Sequence, residues 1–206
     1  MACATALVAC ARPTAPPPFA PPSAELEPAQ CLAALNADGV RYRVVPAPHA
    51  PHPCGVDNPV LVSADPLPYR HPILMGCALA DRLSHWETES VMPAAQRYLG
   101  QPVGTALPIV GYSCRQEIGS GRNYVSQHAY GRAVDIGGWR LGDGSSVTVT
   151  HDWHDKGEKG RFLHAVALDA CRYFSEVLTP DVNPAHRTHF HLDIGNYRDC
   201  APARRQ

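Results

Sequence analysis

The sequence lacks any apolar run long enough to cross a bilayer, so it offers no transmembrane helix. It lacks an excess of either charge: 18 Lys and Arg stand against 19 Asp and Glu, a formal net charge of −1. That balance removes the electrostatic case for nucleic acid or an anionic membrane surface as partner. No Cys-x-x-Cys pair occurs, which argues against a structural zinc knuckle or a thioredoxin-like redox site. No segment repeats.

What remains is a chain of 206 residues that is 45% apolar, enough for one domain with a hydrophobic core. It is rich in proline and cysteine, with 21 and 8 residues. Many of the prolines lie before Pro72, in PTAPPPFAPP and PAPHAPHP. Proline fixes φ and has no amide donor, so these stretches read as a linker and an irregular loop. Residues 1–24 are therefore expected to be tail and linker, 25–200 the folded domain, and 201–206 a loose end. Within the tail, Leu7-Val8-Ala9-Cys10 matches the bacterial lipobox, making Cys10 a candidate lipid anchor. The alternative is an unmodified, mildly apolar tail, since no positively charged segment precedes it.

Six cysteines are scattered through the domain: Cys31, Cys54, Cys77, Cys114, Cys171 and Cys200. An even, dispersed set suits disulfides in an oxidising compartment, against the alternative of buried free thiols in a reducing one. Sequence alone does not choose a pairing. Pairing of sequential neighbours, Cys31–Cys54, Cys77–Cys114 and Cys171–Cys200, is the expectation.

Periodicity places a helix at Pro28–Ala37, opened by proline and stopped near Gly39. A longer one runs from Cys77 to Leu99, with Leu79, Leu83 and Trp86 on one face and Pro93 dividing it. Another spans Gly160 to Leu178. Strands are expected at Val40–Val45, Leu107–Ser113, Ala133–Trp139, Ser146–Thr150 and Thr188–Ile194, and Pro59–Val62 is a further short apolar run. The order suggests an α+β domain in which helices pack on a small antiparallel sheet.

Two clusters carry chemistry. One is Ser126-Gln127-His128-Ala129-Tyr130-Gly131-Arg132-Ala133-Val134-Asp135; the other is His189-Phe190-His191-Leu192-Asp193. On a strand, alternate side chains share a face, so His189, His191 and Asp193 would line one side and Phe190, Leu192 and Ile194 the core. Catalytic zinc takes three protein ligands and leaves a fourth position for water, and His and Asp are both suitable. Each bound histidine needs a partner for its other nitrogen, and Asp193 is a candidate. Gly131 reads as a backbone requirement between His128 and Asp135. His151, His154, His164 and His186 read as structural or exposed.

The pattern S-x-H-x-x-G-x-A-x-D followed by H-x-H resembles the LAS metallopeptidases, the lysostaphin, D-Ala-D-Ala peptidase and hedgehog group. Over residues 28–200 the chain is still more similar to the bacterial extensin-like C-terminal domain family, a branch allied to those peptidases. Gly111-Tyr112-Ser113-Cys114-Arg115, residues 126–139, Arg161-Phe162-Leu163, Ala170-Cys171-Arg172 and His186 to Asp193 carry that likeness. The resemblance implies zinc ligands at His128, Asp135 and His191, a transition-state role for His189, and bracing of the loop by Ser126. It implies substrate contact by Arg115, with Arg122 as the alternative. The implied protein is a monomeric zinc peptidase of the cell envelope, on the periplasmic side, acting on peptidoglycan stem peptides or cross-links. A wall-binding or structural module that keeps the metal without turnover is the alternative. One departure matters. Several of these peptidases place an acidic base two or three positions before the last zinc histidine, where this chain has Thr188 and His189. Threonine does not take a proton near neutral pH. That work then falls to His189 or to another carboxylate, or turnover is lost.

Overall fold

The computed structural model describes residues 27–118 and 124–202. The Leu7–Cys10 pattern, the 1–24 tail, Arg122 and the last four residues lie outside them.

In chain order the elements are α1 (Pro28–Ala37), β1 (Arg41–Val44), β2 (Pro59–Asp65), β3 (Leu67–Gly76), α2 (Cys77–Trp86), a π turn (Glu87–Val91) and α3 (Met92–Leu99). Next come β4 (Val103–Val110), a 3-10 turn (Gln127–Tyr130), β5 (Ala133–Leu141), β6 (Ser146–Thr148), α4 (Val149–Asp152) and α5 (Glu158–Ala170). The chain closes with β7 (Glu176–Leu178), a second 3-10 turn (Pro184–His186), β8 (Phe190–Asp193) and β9 (Asp199–Cys200). No helix among the described residues is long and apolar enough to cross a membrane.

The domain is α+β, as expected, but its sheet is not small. Among the described residues nine strands run β1-β2-β3-β4-β5-β8-β7-β9, with β6 paired to β5. Nor is it purely antiparallel, since β3–β4 and β7–β9 are parallel pairs. The extra width comes largely from β3, a stretch carrying Pro68 and Pro72 to which the sequence reading assigns no element. Those prolines are exposed, and the strand still pairs with β2 on either side of an irregularity between Val62 and Ala64.

Helices bury the core against this sheet. Trp86 and Trp139 meet at 5.8 Å between ring centroids, Trp139 and Phe162 at 5.4 Å, and the Trp86 Nε1–H donates to the Val166 carbonyl at 3.1 Å. All three rings are fully buried, and truncating one to alanine costs about 3–5 kcal/mol. Trp139 faces the core only because β5 changes phase. Val134 and Ile136 point inward by alternation, and Trp139 breaks that parity. The break falls at Gly138, whose φ of 144° and contact with Val147 leave no room for a side chain.

The long helical run from Cys77 to Leu99 forms, and its division near Pro93 takes the form of the π turn. The amide of Met92 reaches back to the carbonyl of Glu87, widening the turn just before the residue that has no amide to give. Helix α5, by contrast, ends at Ala170 and not at Leu178. The Ser175 amide donates to the Asp193 carbonyl at 2.7 Å, and Glu176–Leu178 continues as a strand against β8. Leu107–Ser113 and Ser146–Thr150 are corrected too: β4 lies earlier, and β6 gives way to α4 at Val149.

Three disulfides staple the domain. Cys171–Cys200 is the expected pair; the other two are Cys31–Cys77 and Cys54–Cys114, with Cα separations of 6.2 and 5.6 Å. Neighbours in sequence are not neighbours here, because the β2–β3 hairpin intervenes. Cys77 opens α2 beside α1, while Cys54 lies in the loop that meets the chain leaving β4. Closing loops of 46, 60 and 29 residues stabilises the fold by about 3.5–4.5 kcal/mol each in the loop-entropy picture.

Candidate metal centre

Three elements bring the candidate ligands together. Asp135 on β5 and His191 on β8 are direct cross-strand partners, so their side chains share a face. His128 approaches from the 3-10 turn that precedes β5. Ser126 caps that turn, its Oγ accepting the His128 amide at 3.3 Å. Gly131 ends it at φ 63°, and a Cβ there would lie 2.6 Å from Val56 Cγ1. Two loops hold the turn from outside: the Gly55 amide donates to Ala129 and the Ser113 amide to His128, at 2.9 and 3.0 Å. Those loops are tied together by Cys54–Cys114.

His128 Nε2, His191 Nδ1 and Asp135 Oδ1 form a triangle with every edge 3.1 Å. All three side chains are nearly buried, with relative exposures of 0%, 8% and 4%. The outer nitrogens decide what faces inward. His128 Nδ1 lies 2.6 Å from the Gly111 carbonyl, which only accepts, so Nδ1 carries the hydrogen. His191 Nε2 lies 3.1 Å from Asp193 Oδ2 and likewise donates. In these neutral tautomers both inner nitrogens present lone pairs, beside a carboxylate oxygen. Three acceptors this close repel unless a cation or an added proton stands among them. Burial pushes His191 down, but Asp135 and Asp193 outweigh it and lift the imidazole to about 10. Burial pushes Asp135 up, and the two histidines hold it well below the usual carboxylate range. The donor set suits zinc: ligand atoms around a tetrahedral ion with bonds of about 2.0–2.1 Å stand roughly 3.3 Å apart.

Behind His191 lies a second tier. Asp193 is fully buried and accepts three hydrogen bonds: from His191, from the Tyr197 hydroxyl at 2.9 Å, and from the Gly195 amide at 2.8 Å. Glu176, opposite Asp193 in the β7–β8 register, places Oε2 3.8 Å from His191 Nε2 and 3.4 Å from the Tyr197 hydroxyl. Burial, then the charge of Asp193, raise the Glu176 carboxyl to about 7.

On the other side stand His189 and His186. His189 Nε2 is 3.5 Å from Asp135 Oδ1, and its Nδ1 is 3.1 Å from the Thr188 hydroxyl. His186 packs edge-on to His189 and His191, with ring centroids 5.4 and 5.9 Å away. Burial lowers both, His186 to about 4, and the charge of Arg115 adds to the lowering in each case. Arg115 thus sits within electrostatic reach of the site, although among the described residues its side chain donates to the Gln116 carbonyl at 3.4 Å.

The structure therefore brings His128, Asp135, His191, His189, Asp193 and Ser126 into one cluster, with Arg115 at its margin. His186, which reads as structural or exposed in the sequence, is buried against it. Glu176 and Tyr197 were not singled out. Glu176 fell inside an overlong helix, and nothing in the sequence ties Tyr197 to Asp193 beyond a spacing of four across a turn. His186 did leave a signal: Asn183-Pro184 is a cap followed by a first-turn proline, which places His186 on a short helical turn just ahead of β8.

The family of the extensin-like protein C-terminus matches residues 29–201. The chain belongs to that family. No curated protein and no solved structure matches it. The match covers every residue of the cluster just described, so the buried triangle and the tier behind it are parts of the extensin-like domain itself. The cystines are as well, since the match begins before Cys31 and ends after Cys200.

Proposed function

We propose that this extensin-like domain is a zinc-dependent hydrolase of the cell envelope, cutting peptide bonds in peptidoglycan stem peptides or cross-links on the periplasmic side. The observation that carries the reading is the triangle of three buried acceptor atoms, two of them committed to lone pairs by their outer partners. The likeness of S-x-H-x-x-G-x-A-x-D and H-x-H to the LAS zinc peptidases supports it. The cystines favour an oxidising compartment.

His128, Asp135 and His191 would hold the ion. Bound zinc supplies Lewis acidity, polarising a carbonyl and bringing a water's pKa down to about 7. His189 contributes a hydrogen-bond donor. Facing Asp135 Oδ1, its Nε2 is favourable only as N–H, and the Thr188 hydroxyl then donates to Nδ1. A donor there stabilises negative charge developing on a scissile carbonyl oxygen. Arg115 supplies positive charge at the margin, suited to a carboxylate of the stem peptide.

Thr188, standing where several of those peptidases carry an acid, favours a second reading: a wall-binding module that keeps the metal without turnover. Mass spectrometry of muropeptides decides between them. Zinc-loaded protein should release new fragments from purified peptidoglycan, and His191→Ala should release none. Intact peptidoglycan after incubation with zinc-loaded wild type, pulled down with the protein, would establish the binding module and refute the hydrolase.

A further inference from the structure

We propose that the cavity between the start of α1 and the segment after α5 is a second binding site, one that takes a sugar ring bearing a single carboxylate. Its volume of about 780 Å3 lies within the range of small-molecule sites. No residue of the triangle lines it, so the inference stands apart from the hydrolase reading.

The walls are fixed before any ligand arrives. Cys31 and Cys171 both line the cavity, and their disulfides to Cys77 and Cys200 tie α1 to α2 and the end of α5 to β9. On a third side the chain running from the His128 turn into β5 contributes Tyr130 and Arg132. A site held in shape in this way gives up little freedom on binding.

Charge sets the first requirement. Arg132, Arg172 and Arg198 line the cavity, against Asp57 and Glu27. The wall thus carries one net positive charge, and Asp169 beyond it partners Arg172. That balance suits a singly charged carboxylate better than a doubly charged phosphate monoester. None of the three guanidiniums is used up. Arg132 meets Asp57 at 3.3 Å, but the Asp57 side chain is 86% exposed, so the pair is weak. Arg172 gives Nη1 to Asp169 and keeps a buried Nε with no hydrogen-bond partner among the described residues. Arg198 gives Nη2 to the Cys171 carbonyl at 3.3 Å. A guanidinium carries five N–H donors in a fork that matches a carboxylate, so donors remain on each.

The neutral part of the ligand follows from the other wall residues. Tyr197 is 41% exposed although its hydroxyl is tied to Asp193 at 2.9 Å. The ring is therefore held still with part of its surface open, as a platform for a sugar ring. Tyr130, with the Arg132 guanidinium 5.9 Å from its ring centroid, is the second aromatic. The side-chain amides of Asn58 and Asn196 make no hydrogen bond among the described residues, and both residues line the cavity. An amide both donates and accepts, which is what hydroxyl and acetamido groups require. Asn58 also sits at φ 48°, the one positive φ outside glycine among the described residues. Backbone strain of this kind gathers at ligand sites.

Titration of the full chain with its disulfides intact, followed by 1H–15N spectra, tests the site. N-acetylmuramic acid and glucuronic acid are the probes, with N-acetylglucosamine and glucose as their neutral controls. At least one acid should give saturable shifts at residues 130–132, 171–175 and 194–198, and its control should bind about tenfold or more weakly. Binding of N-acetylmuramic acid alone identifies a wall glycan as the source. Binding of glucuronic acid alone identifies another acidic polysaccharide, and binding of both shows that ring and carboxylate suffice. Arg198→Gln should weaken binding by about tenfold or more. Asp57→Asn, at an exposed position, removes the competitor for Arg132 and should tighten binding by about two- to fivefold. No saturable shift with either acid at millimolar concentration overturns the proposal. Equal affinity for acid and neutral sugar overturns it too, as does unchanged affinity in both variants. A short acidic peptide that shifts the same residues and that neither sugar displaces would show a peptide site and overturn it likewise. None of these readouts involves release of muropeptides, so the hydrolase reading can fail without touching them.

Discussion

Asp193→Asn is nearly isosteric and touches no proposed zinc ligand except through one hydrogen bond, so its effect can be worked out atom by atom. Asp193 accepts three hydrogen bonds in a fully buried position. An asparagine has one oxygen and one NH2 to set against the same three donors. If its oxygen faces His191 and Tyr197, its NH2 meets the Gly195 amide, donor against donor, at a distance of 2.8 Å in the parent. If its oxygen takes the Gly195 amide, its NH2 meets His191 Nε2. The ring then escapes only by moving its hydrogen to Nδ1, into the triangle proposed to hold zinc. The second arrangement opposes the metal directly; the first keeps the tautomer but replaces the carboxylate on His191 with a weaker amide acceptor and sets two buried donors against each other. Loss of such an outer partner lowers metal affinity by about 10–100-fold, or roughly 1.4–2.7 kcal/mol. Zinc titration in competition with a chromophoric chelator reads this directly, with circular dichroism to confirm the fold. Long-range 1H–15N spectra should show the His191 hydrogen on Nε2 in the wild type and displaced in the variant. A folded Asp193→Asn protein whose zinc affinity stays within about threefold of wild type would refute the tautomer argument.

Two further outcomes follow from the same physics. Replacing Cys54 and Cys114 by alanine should cost about 4 kcal/mol of stability from a loop of 60 residues and should also weaken zinc binding, because that disulfide joins the loops holding the His128 turn. A lower melting temperature with unchanged zinc affinity would refute the bracing role. Burial raises the Asp65 carboxyl to about 8, and burial together with the charge of Asp65 raises Glu87. The folded protein therefore keeps a proton that the unfolded chain releases above about pH 4, so this contribution to stability is present in acid and lost as pH rises toward 8. Relative to Asp65→Asn, the wild type should lose up to about 1.4 kcal/mol per pH unit across that window; parallel stability–pH curves for the two would refute the assignment.

Much of the fold was legible because one kind of signal was enough. Helix α1 is bounded by Pro28 and by the turn at Gly39, and the structure keeps the expected limits. The alternation in Phe190–Asp193 does put Phe190 and Leu192 into the core. Where two signals competed, the reading failed. Val177 and Leu178 suit a helix face or a strand equally, and only the neighbour β8 makes them strand. Pro68 and Pro72 argue against a strand, yet both fall at exposed positions of β3, where a missing amide is tolerated. Disulfide partners depend on the sheet order, which no local pattern contains.

At the site, residue types were legible and their protonation was not. Four histidines line the cluster, and the neighbours of each set its hydrogen-bonding sense. The Gly111 carbonyl turns a lone pair of His128 inward, and the Asp193 carboxylate does the same for His191. The Asn183 amide oxygen leaves His186 with a free lone pair, whereas Asp135 and the Thr188 hydroxyl leave His189 presenting a hydrogen. Exchange any one of these neighbours for a group of opposite hydrogen-bonding sense and the ring beside it switches between acceptor and donor without moving. The Thr188 hydroxyl, by donating to Nδ1, fixes His189 as a donor toward Asp135.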